Sequence, residues 1–119
     1  MAESVMLERS KDFAVEIVNM CNDIQQTRKN YVLTNQLMRS GTSIGANIHE
    51  SKYAHSTADF ISKMRIALKE CYESEYWLEL LNRTGYINDE QYKNVANKCG
   101  QIRRMLISSI NTTKENNIG

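Results

Sequence analysis

The sequence predicts an all-α protein, an up-down-up-down antiparallel four-helix bundle, and three observations indicate it. The 119 residues include no proline and only 5 glycines, which favours a few long helices over many short strands and turns. Apolar residues recur at helical spacing in four successive segments. The connections between these segments are short, so sequential helices are expected to run antiparallel.

The amino-acid composition narrows the structural class of the protein further. Hydrophobic residues make up 41% of the chain and charged residues 24%, which is typical of a folded globular domain, and the length suits one domain, residues 1–119. No apolar run approaches the roughly 18 residues of a membrane helix, and no basic segment leads into an apolar one at the start. We therefore expect a cytoplasmic protein. The 3 cysteines form no C-x-x-C pair and are expected to be buried thiols.

The first two helices are joined by a short break. The first is expected over residues 4–29, because Phe13, Ile17 and Cys21 share one apolar face. Lys29-Asn30 interrupts that pattern, and the second helix is expected over residues 31–52.

The last two helices have clearer ends. Ser56 is a credible N-cap for a third helix over residues 57–84, and Gly85 suits the left-handed position after its end. Asn88 and Gln91 form a second capping pair, which begins a fourth helix over residues 89–111. Residues 112–119 are expected to fray as a polar tail.

The second helix contains small residues where a helix usually has larger ones. Gly41 and Gly45 together cost about 2 kcal/mol relative to alanine, and such a cost is usually offset by close packing. Ser43 and Asn47 lie beside them on an uncharged arc with Gln36 and Ser40. This arc suits hydrogen bonding between helices or subunits, although ordinary solvated surface is the alternative. Ser43, Gly45 and Asn47 are therefore candidate oligomer-interface residues.

The end of the third helix is apolar over about 200° of its circumference. The residues responsible are Tyr76, Trp77, Leu78, Leu80 and Leu81. A bundle helix needs only one apolar stripe, so a subunit interface centred on Tyr76 and Trp77 is the sharper hypothesis, since aromatic residues are enriched in interface cores. The plainer one is that Trp77 covers the edge of the bundle.

The uneven distribution of charge along the chain is compatible with nucleic-acid binding. Net charge is only +1, but residues 1–23 have five acids and two bases, whereas residues 85–119 have five bases and three acids. Lys93 and Arg104 point the same way on the fourth helix. Candidate contacts with RNA or DNA are these two residues with Arg39, Arg28 and Lys29. The overall charge is weaker than that of a dedicated binder.

One arginine falls inside the apolar arc of the fourth helix. Arg103 lies between the directions of Tyr92 and Ala96. Either its stem reaches the bundle edge, or its guanidinium pairs with a carboxylate of the same or another subunit.

Catalytic motifs are absent from the sequence. It has no P-loop, nucleophile elbow or zinc-protease helix, and no E-x-x-H pair of the kind that di-iron bundles use. The two histidines, His49 and His55, lie near Glu50 and Asp59, which makes a metal-dependent bundle a remote alternative. No cofactor, metal or catalytic residue is assigned.

The stretch from Leu37 to Leu81 carries a family resemblance, which covers nearly the whole chain together with the helical pattern outside it. The matching residues are Gln36-Leu37, Arg39-Ser40, Ser43-Ile44-Gly45-Ala46-Asn47-Ile48, Glu50, Ser56, Asp59-Phe60, Ala67-Leu68-Lys69-Glu70 and Glu75-Tyr76-Trp77-Leu78. They resemble the bacterial four-helix-bundle proteins encoded within intervening sequences of large-subunit (23S) ribosomal RNA genes.

The resemblance has several implications for function. It implies a homo-oligomer, a pentamer as among relatives, with no enzymatic activity. It also implies kinship with the accessory variability determinant of diversity-generating retroelements, which engages a reverse transcriptase and nucleic acid. We therefore expect a non-enzymatic, homo-oligomeric scaffold or interaction module without membrane contact. The alternative is an RNA- or DNA-binding accessory protein associated with reverse transcriptase or rRNA.

Overall fold

Four antiparallel helices form the molecule. The computed structural model describes residues 2–118, with the side chains of residues 4–116. The helices are α1 (Ala2–Arg28), α2 (Val32–Ser51), α3 (Thr57–Arg83) and α4 (Asp89–Ile118). Each helix contacts its neighbours in sequence, and α1 also contacts α4, which closes an elongated bundle of 52 × 22 × 20 Å. The predicted up-down-up-down four-helix bundle is confirmed.

Local chemistry sets most helix ends. The Ser56 side chain accepts a hydrogen bond from the Asp59 backbone N–H at 3.0 Å, which caps α3. After α3, Gly85 adopts φ 84°, and the Gly85 and Tyr86 N–H groups bond to the carbonyls of Asn82 and Leu81 in a Schellman motif. Both of these predicted signals are confirmed.

Side chains also define the start of α4 and the break between α1 and α2. Asn88 and Gln91 exchange bonds of 3.0 and 2.8 Å at the start of α4, as predicted. Between α1 and α2, Lys29 has a positive φ of 60°, and the Asn30 side chain accepts from the Leu33 N–H at 3.2 Å.

The core runs along the bundle axis. Each helix contributes apolar side chains that are almost fully buried, and all three cysteines are among them. Representative members are Phe13 and Ile17 of α1, Leu37 and Ile44 of α2, Met64 and Leu78 of α3, and Ile102 and Leu106 of α4.

The fourth helix is longer than the sequence predicted. It continues through the expected polar tail to Ile118, so the prediction that it ends near Asn111 is wrong. Residues 112–116 include no proline or glycine, Lys114 and Glu115 are good helix formers, and the side chain of Lys114 lies beside α3 at a surface groove. No helix within residues 2–118 is long and apolar enough to cross a membrane.

Candidate functional site

The two glycines of α2 allow α2 to pack closely against α1. A Cβ placed on Gly45 would lie 2.9 Å from the Ser10 Oγ, and one placed on Gly41 would lie 3.0 Å from a methyl carbon of Ile17. Both neighbours belong to α1, and Gly45 is buried. The close packing inferred from these glycines is therefore found between α1 and α2. Gly45 thus packs against its own chain, and its role in a subunit interface stays a prediction.

The polar side chains of the uncharged arc of α2 form hydrogen bonds mainly within α2 itself. Ser40 is buried and accepts a hydrogen bond from the Ser74 Oγ of α3 at 2.9 Å. Ser43 and Asn47 are half-buried, and their side chains donate to backbone carbonyls of α2, those of Arg39 and Ser43. Among the described residues, Ser40 is the position of this arc that bonds to another helix.

The aromatic pair at the end of α3 divides into an exposed and a covered member. Tyr76 is 57% exposed, whereas Trp77 is half-buried and packs against the core. Their rings meet edge to face, 5.0 Å apart at 78°, a favoured arrangement for aromatic pairs. The Trp77 indole N–H is buried and finds no acceptor among the described residues. Tyr76 is thus the member available to a partner, and Trp77 supports it from beneath.

Arg39 is engaged by two carboxylates of α3. Its guanidinium contacts Glu70 at 3.4 Å and forms a short ion pair with Glu73. Glu70 is only 9% exposed, and its Oε1 has no hydrogen-bond partner among the described residues. Burial, followed by hydrogen bonding and charge repulsion from Glu73, raises the Glu70 pKa, while the charges of Arg39 and Lys69 oppose the rise. Arg39 therefore serves the contact between α2 and α3.

Two other candidate cations lie at the end of the bundle near the α3–α4 turn. The Arg28 guanidinium stacks 4.7 Å from the centre of the Tyr86 ring, and its Nη1 donates to the Gly85 carbonyl at 3.5 Å. Lys29 is exposed beside it in the α1–α2 connection. Arg28 therefore contributes to packing of that turn.

The remaining two candidate cations share a surface. Lys93 and Arg104 line a shallow depression on α4 that we call the α4 basic face, and none of the described residues that line it is acidic. Its residues are Tyr92, Lys93, Asn94, Ala96, Asn97, Gly100, Arg103 and Arg104. Arg103 donates from Nε to Glu75 at 3.0 Å, so the open question about Arg103 is answered by a carboxylate of the same chain.

A second basic surface was missed in the sequence. Arg65 and Lys69 of α3 line a groove of about 590 Å³ together with Lys114 of α4. Ile61 and Ile66 also line it, and within the described part of the chain no acid does. The i, i+4 spacing of Arg65 and Lys69 was a visible signal. Lys114, however, belonged to the expected tail and could not be placed beside them.

The histidines lie near acids that already have other roles. Glu50 pairs with Lys63 at 3.2 Å, and Asp59 accepts from the backbone N–H of His55 at 3.2 Å. The His49 ring packs edge to face against Tyr53 at 5.6 Å. Within the described part of the chain, no three His, Cys, Asp or Glu side chains converge as metal ligands would.

Comparison with known proteins identifies the relatives. A sequence model described as "23S rRNA-intervening sequence protein" matches residues 2–108. A crystal structure of a protein of unknown function from the S23 ribosomal protein family of Bacteroides thetaiotaomicron is 50% identical in sequence, with a TM-score of 0.92. That match covers 93% of this chain and 99% of the other. No curated protein gives a significant match. The chain belongs to the family of 23S rRNA-intervening sequence proteins.

Proposed function

We propose that this protein is a non-enzymatic homo-oligomeric scaffold whose subunits associate through the outer surface of α3. The observation that carries the proposal is a row of exposed residues on that helix at alternating spacings of four and three. We call it the outer α3 stripe; it comprises Ala58, Ser62, Arg65, Lys69, Tyr72 and Tyr76. This spacing places the six residues on one face of α3.

The two tyrosines are the strongest part of the stripe. Tyr72 is 52% exposed and Tyr76 57% exposed. A tyrosine buries a large area on association and loses little conformational entropy, since only two side-chain torsions become fixed. Tyr76 is also held by its contact with Trp77, which lowers that loss further.

The reactive groups of the chain support a structural role. Its thiols are buried, and burial raises the pKa of Cys21 to about 12, which disfavours the nucleophilic thiolate. Glu50 and Asp59 are engaged in contacts that hold α2 and α3 in place. We therefore favour assembly over chemistry as the role of this fold.

Light scattering coupled to size exclusion tests the proposal. At micromolar concentration we expect several times the 13.7 kDa chain mass, and five times that mass if the pentamer implied by the family resemblance holds here. Tyr72→Glu with Tyr76→Glu should release monomers, because burying two carboxylates at an interface is costly. Tyr31→Glu, at a tyrosine that is 50% exposed outside the stripe, should leave the mass unchanged. A monomeric wild type would overturn the proposal.

A second candidate function is binding of RNA or DNA on the α4 basic face. Lys93 and Arg104 are about 16 Å apart along the helix, at 1.5 Å per residue. Neither forms an ion pair among the described residues. An oligomer would repeat this face in every subunit. The accessory role beside a reverse transcriptase, which the family resemblance implies, belongs to this candidate.

Fluorescence anisotropy with labelled duplex DNA and structured RNA tests the second candidate. We expect binding with little sequence preference, weakened about a thousandfold between 50 and 200 mM salt if six or more phosphates are contacted. Lys93→Glu with Arg104→Glu should abolish binding and leave the oligomer intact. Lys11→Glu with Lys52→Glu makes the same charge change elsewhere and should have a much smaller effect. Equal loss of binding in both double variants would show that the nucleic-acid-binding surface is not the α4 basic face.

A further inference from the structure

We propose that the outer α3 stripe of one subunit binds the outer surface of α1 of the next subunit, head to tail. This inference rests on the homo-oligomer proposed above and names the two faces that meet. The α1 face is a second row of exposed residues at alternating spacings of three and four. We call it the outer α1 stripe; it comprises Val5, Glu8, Asp12, Val15, Asn19 and Asn22.

The α3 side offers cations around apolar groups. Arg65 and Lys69 are joined at the groove by Lys114, and Ile66 is 39% exposed beside them. None of the three cations forms an ion pair within the described part of the chain. The groove therefore suits a partner that combines acidic and apolar side chains at helical spacing.

The outer α1 stripe has that chemistry. Val5 is 48% exposed and Val15 is 60% exposed, and the acids Glu8 and Asp12 lie between them. Lys11 lies 3.7 Å from Glu8, in an exposed pair on a single helix. A contact of that kind is worth little, so it leaves Glu8 available to a partner. The acids of the outer α1 stripe complement the bases of the outer α3 stripe, and both surfaces also carry exposed apolar side chains.

The acids of the outer α1 stripe and the bases of the outer α3 stripe also lie at similar heights along the bundle axis. Ser40 of α2 contacts Ser74 of α3, and Glu50 contacts Lys63. Gly45 is halfway between Ser40 and Glu50, so it is level with about residue 68 of α3, since both helices rise 1.5 Å per residue.

The α1 residues can then be placed on the same scale. Gly45 touches Ser10, and α1 runs parallel to α3, so Glu8 is level with about residue 66 and Asp12 with about residue 70. Arg65 and Lys69 are thus each within about 3 Å of an acid in height. In a ring whose axis follows the bundle, neighbouring subunits keep these heights, and the opposite charges meet without a shift.

The fold places the two stripes on separate sides of one subunit. Helices α1 and α3 are diagonal in the bundle, since each contacts α2 and α4 and they do not contact each other. Their outer stripes therefore face away from each other. Two different complementary faces on one subunit give head-to-tail contacts, which close into a ring when the rotation allows.

Charge reversal with mixing tests the inference. We expect Glu8→Arg with Asp12→Arg to lose assembly, and Arg65→Glu with Lys69→Glu to lose it as well. Mixing the two double variants should restore association between them, because the reversed stripe of each then matches a stripe of the other. The two variants must alternate, so a ring of five would keep one unmatched contact, and the readout is association of the two variants rather than recovery of the wild-type mass. Lys52→Glu with Lys93→Glu, away from both stripes, should leave the assembly intact. Circular dichroism checks that each variant remains helical.

Cross-linking of the wild type provides a test that needs no variant. A carbodiimide, which joins a carboxylate directly to an ammonium group, should link Glu8 or Asp12 to Lys69 or Lys114 within the oligomer. The link to Lys69 is decisive: α3 lies diagonally across the bundle from α1, so that link must join two chains.

The possible failures are distinguishable. A wild-type oligomer that survives both double variants and lacks these cross-links would overturn the pairing of stripes and leave the proposed oligomer standing. A monomeric wild type would remove both proposals.

Discussion

Gly45 of α2 lies against Ser10 of α1 so closely that a Cβ on residue 45 would be 2.9 Å from the Ser10 Oγ. That hydroxyl is itself committed, since it donates to the Leu7 carbonyl at 2.7 Å and is fully buried. A larger side chain would have to displace a bonded group whose backbone lies only 3.7 Å away. The contact sets how closely the first two helices approach.

Substitution of Gly45 should therefore destabilise the fold. We expect Gly45→Leu to lower the free energy of unfolding by about 1–3 kcal/mol or more, as over-packed cores do. Urea denaturation followed by circular dichroism measures it. Gly100→Ala is the matched control: a Cβ there meets only flexible arginine tips at 3.3 and 3.4 Å. That control should stabilise α4 by up to about 1 kcal/mol. Unchanged stability of Gly45→Leu would contradict the observed packing.

The buried hydroxyl pair of Ser40 and Ser74 should show energetic coupling. Each single change to alanine leaves one buried hydroxyl with a poorer set of partners, so each should cost about 1–3 kcal/mol. The double change removes both groups and should cost less than the sum of the single changes. Denaturant titration of the four proteins gives the coupling energy. Strict additivity would mean that the 2.9 Å contact contributes nothing to stability.

Glu70 should make stability depend on pH. Its pKa is raised above the ordinary value of 4.5, mainly by burial, so the folded state holds more protons than the unfolded state between the two pKa values. Stability contributed by the protonated form is therefore lost as pH rises from about 4.5 through the folded pKa. Glu70→Gln keeps the shape and removes the titration.

The comparison of Glu70→Gln with the wild type isolates that effect. We expect the stability of the variant relative to the wild type to increase between pH 4.5 and pH 7, as measured by denaturation at a series of pH values. Glu79→Gln, in the exposed pair with Arg83, should change stability by no more than about 0.5 kcal/mol throughout. A difference for Glu70→Gln that is constant with pH would show that Glu70 titrates normally.

The thiols should be unreactive in the folded protein. Burial raises the pKa of Cys21 to about 12, and the hydrogen bond with Cys99, followed by burial, raises the pKa of Cys71. A thiol reagent such as dithiobisnitrobenzoate at pH 8 should therefore label no cysteine before unfolding, and 3 per chain in denaturant. Rapid labelling of one thiol in the native protein would reveal an opening of the bundle.

The sequence by itself determined the helical class, the capping of α3 and α4, and the faces that form the core. These features depend on residues close together in the chain: Ser56 with Asp59, Asn88 with Gln91, and apolar side chains one turn apart. Such local interactions form independently of which helix packs beside them. The close approach signalled by Gly45 could also be predicted, but its partner could not.

The tertiary structure decided which surface groups remain available to a partner. Arg39 and Arg103 are occupied by carboxylates of α3, whereas Lys93 and Arg104 have no such partner among the described residues. An arginine on a helix looks the same in sequence whether or not an acid on the next helix faces it, because that depends on helix rotation and height. For the same reason the groove beside Lys114 was missed: only the tertiary structure shows that α4 continues past the buried Ile110 and places the Lys114 side chain beside α3.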